Sequence, residues 1–297
     1  TTVYGEKFYR TSTGQMYKSS NYTCAAAGKT GRYKCICFSQ KIEQLLSSFI
    51  FERFKKIYMN IRVLTFSSSK EGNYGYLETA APLIQNFLGD KPLTIAFVPF
   101  ASVDGDYEAY SNKVRIALQG LPYTIHTLNP ENAKTIIENA QVIMVGGGNT
   151  FKLLHDLYQL EVMELIRERV KSGIPYIGWS AGANLAGETI STSNDMPIVN
   201  PGNFIALEFF PFQINPHYYN QPITGFNGET RDQRLTEFLQ LNPTKQIVAL
   251  PEGTALLLEE EKLKLLGNNI AYFFEWKDNS VTKQVLRNET NLSFLLS

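Results

Sequence analysis

Gly178-Trp-Ser-Ala-Gly182 follows the apolar run Ile174-Pro-Tyr-Ile177 and leads into Ala183-Asn-Leu-Ala186. In this Gly-x-Ser-x-Gly arrangement a sharp strand-to-helix turn lifts a serine hydroxyl out of a sheet, and the flanking glycines make room for the backbone. Ser180 is therefore the candidate nucleophile. A serine hydroxyl is weak at neutral pH, so it needs a base, and the base needs a group that holds its tautomer.

Three histidines are available. His126 alternates within a strand pattern and reads as a surface or edge residue, and His155 lies in a helical pattern and reads as structural. His217, in Gln213-Ile-Asn-Pro-His217, stands where an apolar strand ends at a proline, a loop position of the kind that carries catalytic groups. It is the candidate base. Two carboxylates compete for the orienting role: Asp195, in the polar segment Ser193-Asn-Asp-Met-Pro197, and Glu252, in Leu250-Pro-Glu-Gly253 at the end of another apolar strand. Spacing does not choose between them. Using Asp195 gives the chain order of α/β-hydrolases, but Ser180 and His217 are too close in sequence for that fold's layout.

Gly146-Gly-Gly-Asn-Thr150 follows a strand and opens a helix. It lacks the third glycine of a dinucleotide fingerprint, where Phe151 stands instead, and the Lys-Ser/Thr of a phosphate loop. Backbone N–H donors aimed at an oxyanion suit it better.

These motifs, together with Asn194-Asp-Met-Pro197, Asn215-Pro-His217, Gly228-Glu-Thr-Arg231 and Pro251-Glu-Gly253, occur in an order that resembles serine peptidase family S51, the α-aspartyl dipeptidases. The resemblance runs from Met59 to about Trp276. It implies a fold similar to class I glutamine amidotransferases, a flavodoxin-like three-layer sandwich, with serine in place of their nucleophilic cysteine. It also implies Ser180 as nucleophile, His217 as base, and either Asp195 or Glu252 as third member. The N–H groups of Gly148 and Ala181 would form the oxyanion hole, and Asn149 would contact substrate. Arg231 falls where a cation should face the aspartyl carboxylate, which a planar guanidinium can grip with two parallel hydrogen bonds; by its residue type alone it is a surface arginine opening a helix. Rival readings are a cyanophycinase-like enzyme acting on β-aspartyl-arginine polymer and a non-catalytic ligand-binding protein of the same fold.

The elements that must position these groups alternate. Ile61–Phe66, Leu93–Pro99, Tyr123–Leu128, Gln141–Val145 and the run before Ser180 read as strands. Tyr76–Leu88, Tyr107–Leu118, Ala133–Asn139 and a long Phe151–Lys171 read as helices, so an α/β fold with a mainly parallel sheet flanked by helices is expected. Downstream, Phe204–Ile214 is apolar and bends at Pro211, Thr230–Leu241 is helical, and Lys262–Leu266 with Ile270–Trp276 reads as a hairpin through Gly267-Asn-Asn269.

Residues 1–58 differ. Thr1–Lys34 is rich in Thr, Ser, Tyr and Gly with little periodicity, and Ile42–Tyr58 carries one amphipathic helical pattern. They read as an extension, poorly ordered or non-native, ahead of a single catalytic domain at 59–297. Cys24, Cys35 and Cys37 all fall in this segment, giving three soft ligands without a nearby histidine, so free thiols are favoured over a zinc site.

Composition bounds the partners. Among 297 residues, 28 Lys plus Arg balance 28 Asp plus Glu, which leaves no electrostatic footprint for nucleic acid or an anionic membrane. No apolar run is long enough to span a bilayer, and so few cysteines favour a cytoplasmic address. A small peptide substrate, Asp-Xaa, handled by a monomer or homodimer without metal or cofactor is the expectation.

Overall fold

The structure is a computed structural model that describes residues 7–10, 16–19, 60–221, 225 and 227–296. The chain divides into two units, Thr1–Phe54 and Lys55–Ser297. In the first, β1 (Lys7–Arg10) pairs antiparallel with β2 (Met16–Ser19), inside the segment read as poorly packed. The Ile42–Tyr58 helical pattern and the three cysteines lie outside the described residues.

In the second unit β3 (Val63–Phe66), β4 (Leu93–Val98), β5 (Tyr123–Thr127), β6 (Val142–Val145) and β7 (Tyr176–Trp179) run parallel in the order β3-β7-β6-β4-β5. β10 (Ala255–Glu259) and β11 (Lys262–Leu266) extend the β3 edge antiparallel. Every residue of β3, β6 and β7 is buried, as expected of parallel strands covered on both faces. One face packs on α1 (Ala81–Leu88) and α2 (Tyr107–Ala117), through Ile84, Phe87, Val114 and Leu118. The opposite face packs on α3 (Ala133–Asn139), α4 (Thr150–Gln159), α5 (Met163–Lys171) and the short α6 (Ala181–Leu185). This is the expected α/β three-layer arrangement.

A second sheet, in the order β13-β12-β9-β8, contains β8 (Gln213–Asn215), β9 (Gln246–Ala249), β12 (Ala271–Lys277) and β13 (Ser280–Leu286). α7 (Arg231–Leu241) packs on it through Leu235 and Leu239. β8 and β9 are parallel, so the segments that follow them emerge at the same end. Those segments carry His217 and Glu252.

Two expectations fail here. The Phe151–Lys171 run is two helices, broken where Glu161 takes φ 53°. The break resets the helical phase, so that Leu153, Leu154 and Leu157 before it and Val162, Ile166 and Val170 after it are all buried. The proposed hairpin of Lys262–Leu266 with Ile270–Trp276 does not form. β11 returns along β10 through Glu260-Glu261, and β12 turns into β13 through Asp278-Asn279, each a two-residue turn with both φ positive, the geometry that matches strand twist. Gly267, at φ 107°, carries the chain from the first sheet to the second, and a Cβ there would meet the Gly253 carbonyl oxygen at 2.0 Å. No helix among the described residues is long and apolar enough to cross a membrane.

Candidate active site

Ser180 sits at the tip of β7 with φ 53° and ψ −111°, a conformation that non-glycine residues seldom adopt. The surrounding packing holds it there. Its amide donates to the Phe66 carbonyl at 3.1 Å, joining the turn to the end of β3. A Cβ on Gly178 would lie 2.5 Å from the Gly182 carbonyl oxygen, and one on Gly182 would lie 2.3 Å from that of Val145. The two glycines therefore allow strand, turn and helix to approach more closely than any side chain permits.

His217 is set from the other sheet. It takes φ 50°, and its amide donates to the Ser67 hydroxyl at 2.8 Å, while that hydroxyl donates to the Leu250 carbonyl at 2.6 Å. Ser67, just past the end of β3, thus locks the His217 loop to the tip of the central sheet. The imidazole Nε2 lies 2.9 Å from Ser180 Oγ, and Nδ1 lies 2.9 Å from Glu252 Oε1. An ionised carboxylate at Nδ1 keeps the proton there and leaves Nε2 free to accept the serine proton.

Asp195 is not in this chain of hydrogen bonds. Its carboxylate accepts from the Thr150 amide at 2.8 Å and the Thr150 hydroxyl at 2.5 Å, at the start of α4. The free N–H groups of a helix's first turn call for such an acceptor, and they occupy it. Asn149 is likewise engaged. Its Oδ1 accepts from the Lys152 amide at 3.0 Å as the cap of α4, and its Nδ2 donates to the Met196 carbonyl at 2.8 Å. The second of these bonds joins the glycine loop to the segment that carries Asp195.

The glycine loop lies directly against Ser180. A Cβ on Gly147 would meet Ser180 Cβ at 2.9 Å, and Gly148, at φ 138°, leaves only 2.3 Å between such an atom and the Ala101 carbonyl oxygen. Among the described residues the amides of Gly147, Gly148 and Ala181 have no backbone acceptor, whereas those of Gly146 and Asn149 are bonded to Val98 and Ala101. Tyr110 fixes the loop from below by donating to the Gly147 carbonyl at 3.0 Å.

Arg231 opens α7 and is half-buried. Nη1 donates to Asn194 Oδ1, an oxygen that also accepts from Asn215 Nδ2 at 2.8 Å, while Asn194 Nδ2 donates to the Pro216 carbonyl at 2.6 Å. Asn194 therefore ties the guanidinium to the residues just before His217. Among the described residues Arg231 makes no ion pair, and its buried Nε has no partner. Burial, with Arg234 nearby, holds its pKa below the usual guanidinium range. A partly buried guanidinium without an ion pair carries a desolvation cost that a bound anion would offset.

Next to it, Tyr218 donates to Asp232 Oδ1, and Lys283 Nζ reaches both the Tyr218 hydroxyl and Asp232 Oδ2 at 2.8 Å. Burial, reinforced by Asp232, pushes the Tyr218 phenol well above its ordinary range. This cluster joins the residue after His217 to the residue after Arg231. It and Ser67 went unrecognised in the sequence, which shows no local pattern for contacts between distant segments. Asn194 and Asn215 stand in the motifs noted above, but only the folded chain gives them a task. The other two histidines make different contacts: His126 is exposed on edge strand β5, and His155 Nδ1 lies 2.9 Å from Asp156 Oδ1.

A parallel α/β sheet with a serine on a strained turn, hydrogen-bonded to histidine and through it to a carboxylate, defines a serine hydrolase. The pattern of peptidase family S51 matches residues 63–266, and the chain belongs to that family. It is similar to peptidase E of Nostoc sp., with 46% identity over 239 residues that cover 80% of this chain and 98% of that one. Peptidase E of Haemophilus influenzae (strain PittGG) is 49% identical over 209 residues, 70% of this chain and 89% of that one. A solved peptidase from an acI-B1 Actinobacterium shares the fold, with a TM-score of 0.55 at 18% identity over 80% of this chain and 98% of that one. The chain is a serine-type dipeptidase of family S51.

Proposed function

We propose that residues 59–297 hydrolyse dipeptides that begin with aspartate. The observation that carries this reading is the half-buried Arg231, without a carboxylate partner among the described residues and tied through Asn194 to the loop of His217. In the proposed reaction Arg231 grips the side-chain carboxylate of the substrate aspartate. Ser180 Oγ attacks the aspartyl carbonyl as its proton passes to His217 Nε2, and Glu252 steadies the imidazolium through Nδ1. The N–H groups of Gly148 and Ala181 receive the developing oxyanion. His217 then returns the proton to the leaving amine, the C–N bond breaks, and water, deprotonated by the same imidazole, releases aspartate from the serine ester. A cytoplasmic setting belongs to the same reading, supported by the scarcity of cysteine.

Arg231→Ala tests the specificity. Losing a partly buried guanidinium–carboxylate pair costs about 2–5 kcal/mol, so kcat/KM for Asp-Leu should fall about 10²–10³-fold. Turnover of Asn-Leu should change little, and the preference for Asp-Leu over Asn-Leu should vanish in a dipeptide assay. If the preference survives, Arg231 is not the reader. Preferential cleavage of β-aspartyl-arginine polymer by the unaltered enzyme would overturn the dipeptide reading itself.

A further inference from the structure

Two cavities flank the Ser180–His217 pair, and they differ in charge. One, of about 450 Å³, is lined by Glu71, His217, Tyr218, Tyr219, Glu252 and Asn269 among others, with two carboxylates and no lysine or arginine. The other, of about 570 Å³, lies beyond the glycine loop and is lined by Lys70, Tyr76, Val103, Tyr110, Lys113 and Gly148 among others. Neither Lys70 nor Lys113 has a side-chain hydrogen bond or an ion pair among the described residues. Two carboxylates, Asp104 and Asp106, also border this cavity, so its two cations are matched by two anions, whereas the first cavity has two carboxylates and no lysine or arginine; both aspartates are held in local hydrogen bonds at the start of α2. Asp104 accepts from the Ser102 hydroxyl at 2.6 Å and the Asp106 amide at 3.2 Å, and Asp106 caps α2 at the Ala109 amide. Asp104 is close enough to feel Lys113 electrostatically without pairing with it.

The position of the second cavity follows from the fold. Tyr110 and Lys113 are on α2, and Tyr76 packs beside Trp179, on the sheet face that α1 and α2 cover. Arg231 is connected through Asn194 to the Asp195 segment, which is bound to the start of α4 on the opposite face. Ser180, at the tip of β7, stands between them. A scissile carbonyl at Ser180 with its aspartyl side chain toward Arg231 directs the leaving residue to the α1/α2 side. There the glycine loop forms one wall, Tyr110 is bonded to that loop, and Val103 and the tyrosines supply apolar surface.

We infer that this cavity is the subsite for the residue after aspartate, and that Lys70 and Lys113 read its free α-carboxylate. The inference rests on the aspartyl-dipeptidase reading above. A dipeptide's second residue ends in a carboxylate close to the scissile bond, which two ammonium groups in a concave site attract. The carboxylate-lined cavity repels the same group. An amide or a further residue at that position carries no charge there, so the subsite favours dipeptides with an apolar second residue over longer peptides.

The test compares Asp-Leu with Asp-leucinamide, using the full-length enzyme and a Lys70→Met/Lys113→Met double variant whose fold is checked by circular dichroism. Both lysines are exposed. The unaltered enzyme should prefer Asp-Leu about tenfold in kcat/KM, chiefly through KM, and the double variant should bring the ratio close to one. Equal use of both substrates by the unaltered enzyme overturns the subsite while leaving aspartyl dipeptidase activity in place. A preference that survives in the double variant also overturns it, because another group then reads the carboxylate. Failure to cleave either substrate defeats the aspartyl reading and the subsite with it.

Discussion

Ser180→Ala is expected to lower kcat for Asp-Leu about 10⁵–10⁶-fold, equivalent to about 7–8 kcal/mol of transition-state stabilisation. The covalent route disappears with the hydroxyl. What remains is the contribution of backbone donors and substrate binding, which still exceeds the reaction in water. The strained turn does not depend on the hydroxyl, because Gly178, Gly182 and the bond from the residue-180 amide to the Phe66 carbonyl hold it. The melting temperature should therefore stay within a few degrees of the unaltered protein. Retained turnover in this variant, checked against a mock purification, would exclude the serine ester. Loss of turnover accompanied by unfolding would give no support to it.

Glu252→Gln and Asp195→Asn separate the two acids. With glutamine at 252 the neutral side chain no longer favours the proton on His217 Nδ1, and an amide N–H turned toward that nitrogen selects the wrong tautomer. Glu252 and His217 are both about half exposed, so water partly compensates, and the expected fall in kcat is about 10²–10⁴-fold. Asp195→Asn instead weakens the charged acceptor at the Thr150 amide and hydroxyl. That change should cost about 1 kcal/mol of stability, seen in urea melts, with less than about a tenfold loss of kcat. The reverse ranking in kcat would assign the orienting role to Asp195.

The contrast between these acids shows what a linear sequence reveals. Ser180 was legible because its turn is encoded locally by Gly178 and Gly182. His217 and Glu252 were legible as polar residues ending apolar strands. That Glu252 rather than Asp195 meets the imidazole depends on parallel pairing of β8 with β9, a contact between distant segments. The central sheet followed from alternating strand and helix patterns. The break at Glu161 did not, since no glycine or proline marks it and only the burial of side chains on both sides demands it. The hairpin error has a similar origin. Gly267-Asn-Asn269 resembles a turn between strands, but β11 and β12 pair with other partners in separate sheets. Asp278-Asn279 carries a turn signature, whereas Glu260-Glu261 adopts the same geometry without one.

Labelling with a serine-reactive fluorophosphonate, followed by peptide mass mapping, tests the proposed Ser180–His217 pair most directly. One phosphonyl adduct is expected, on the peptide containing Ser180, formed in step with loss of Asp-Leu hydrolysis, slowed by excess Asp-Leu and absent in His217→Ala. Complete inactivation with the adduct on another residue, or full activity with Ser180 quantitatively labelled, would contradict it.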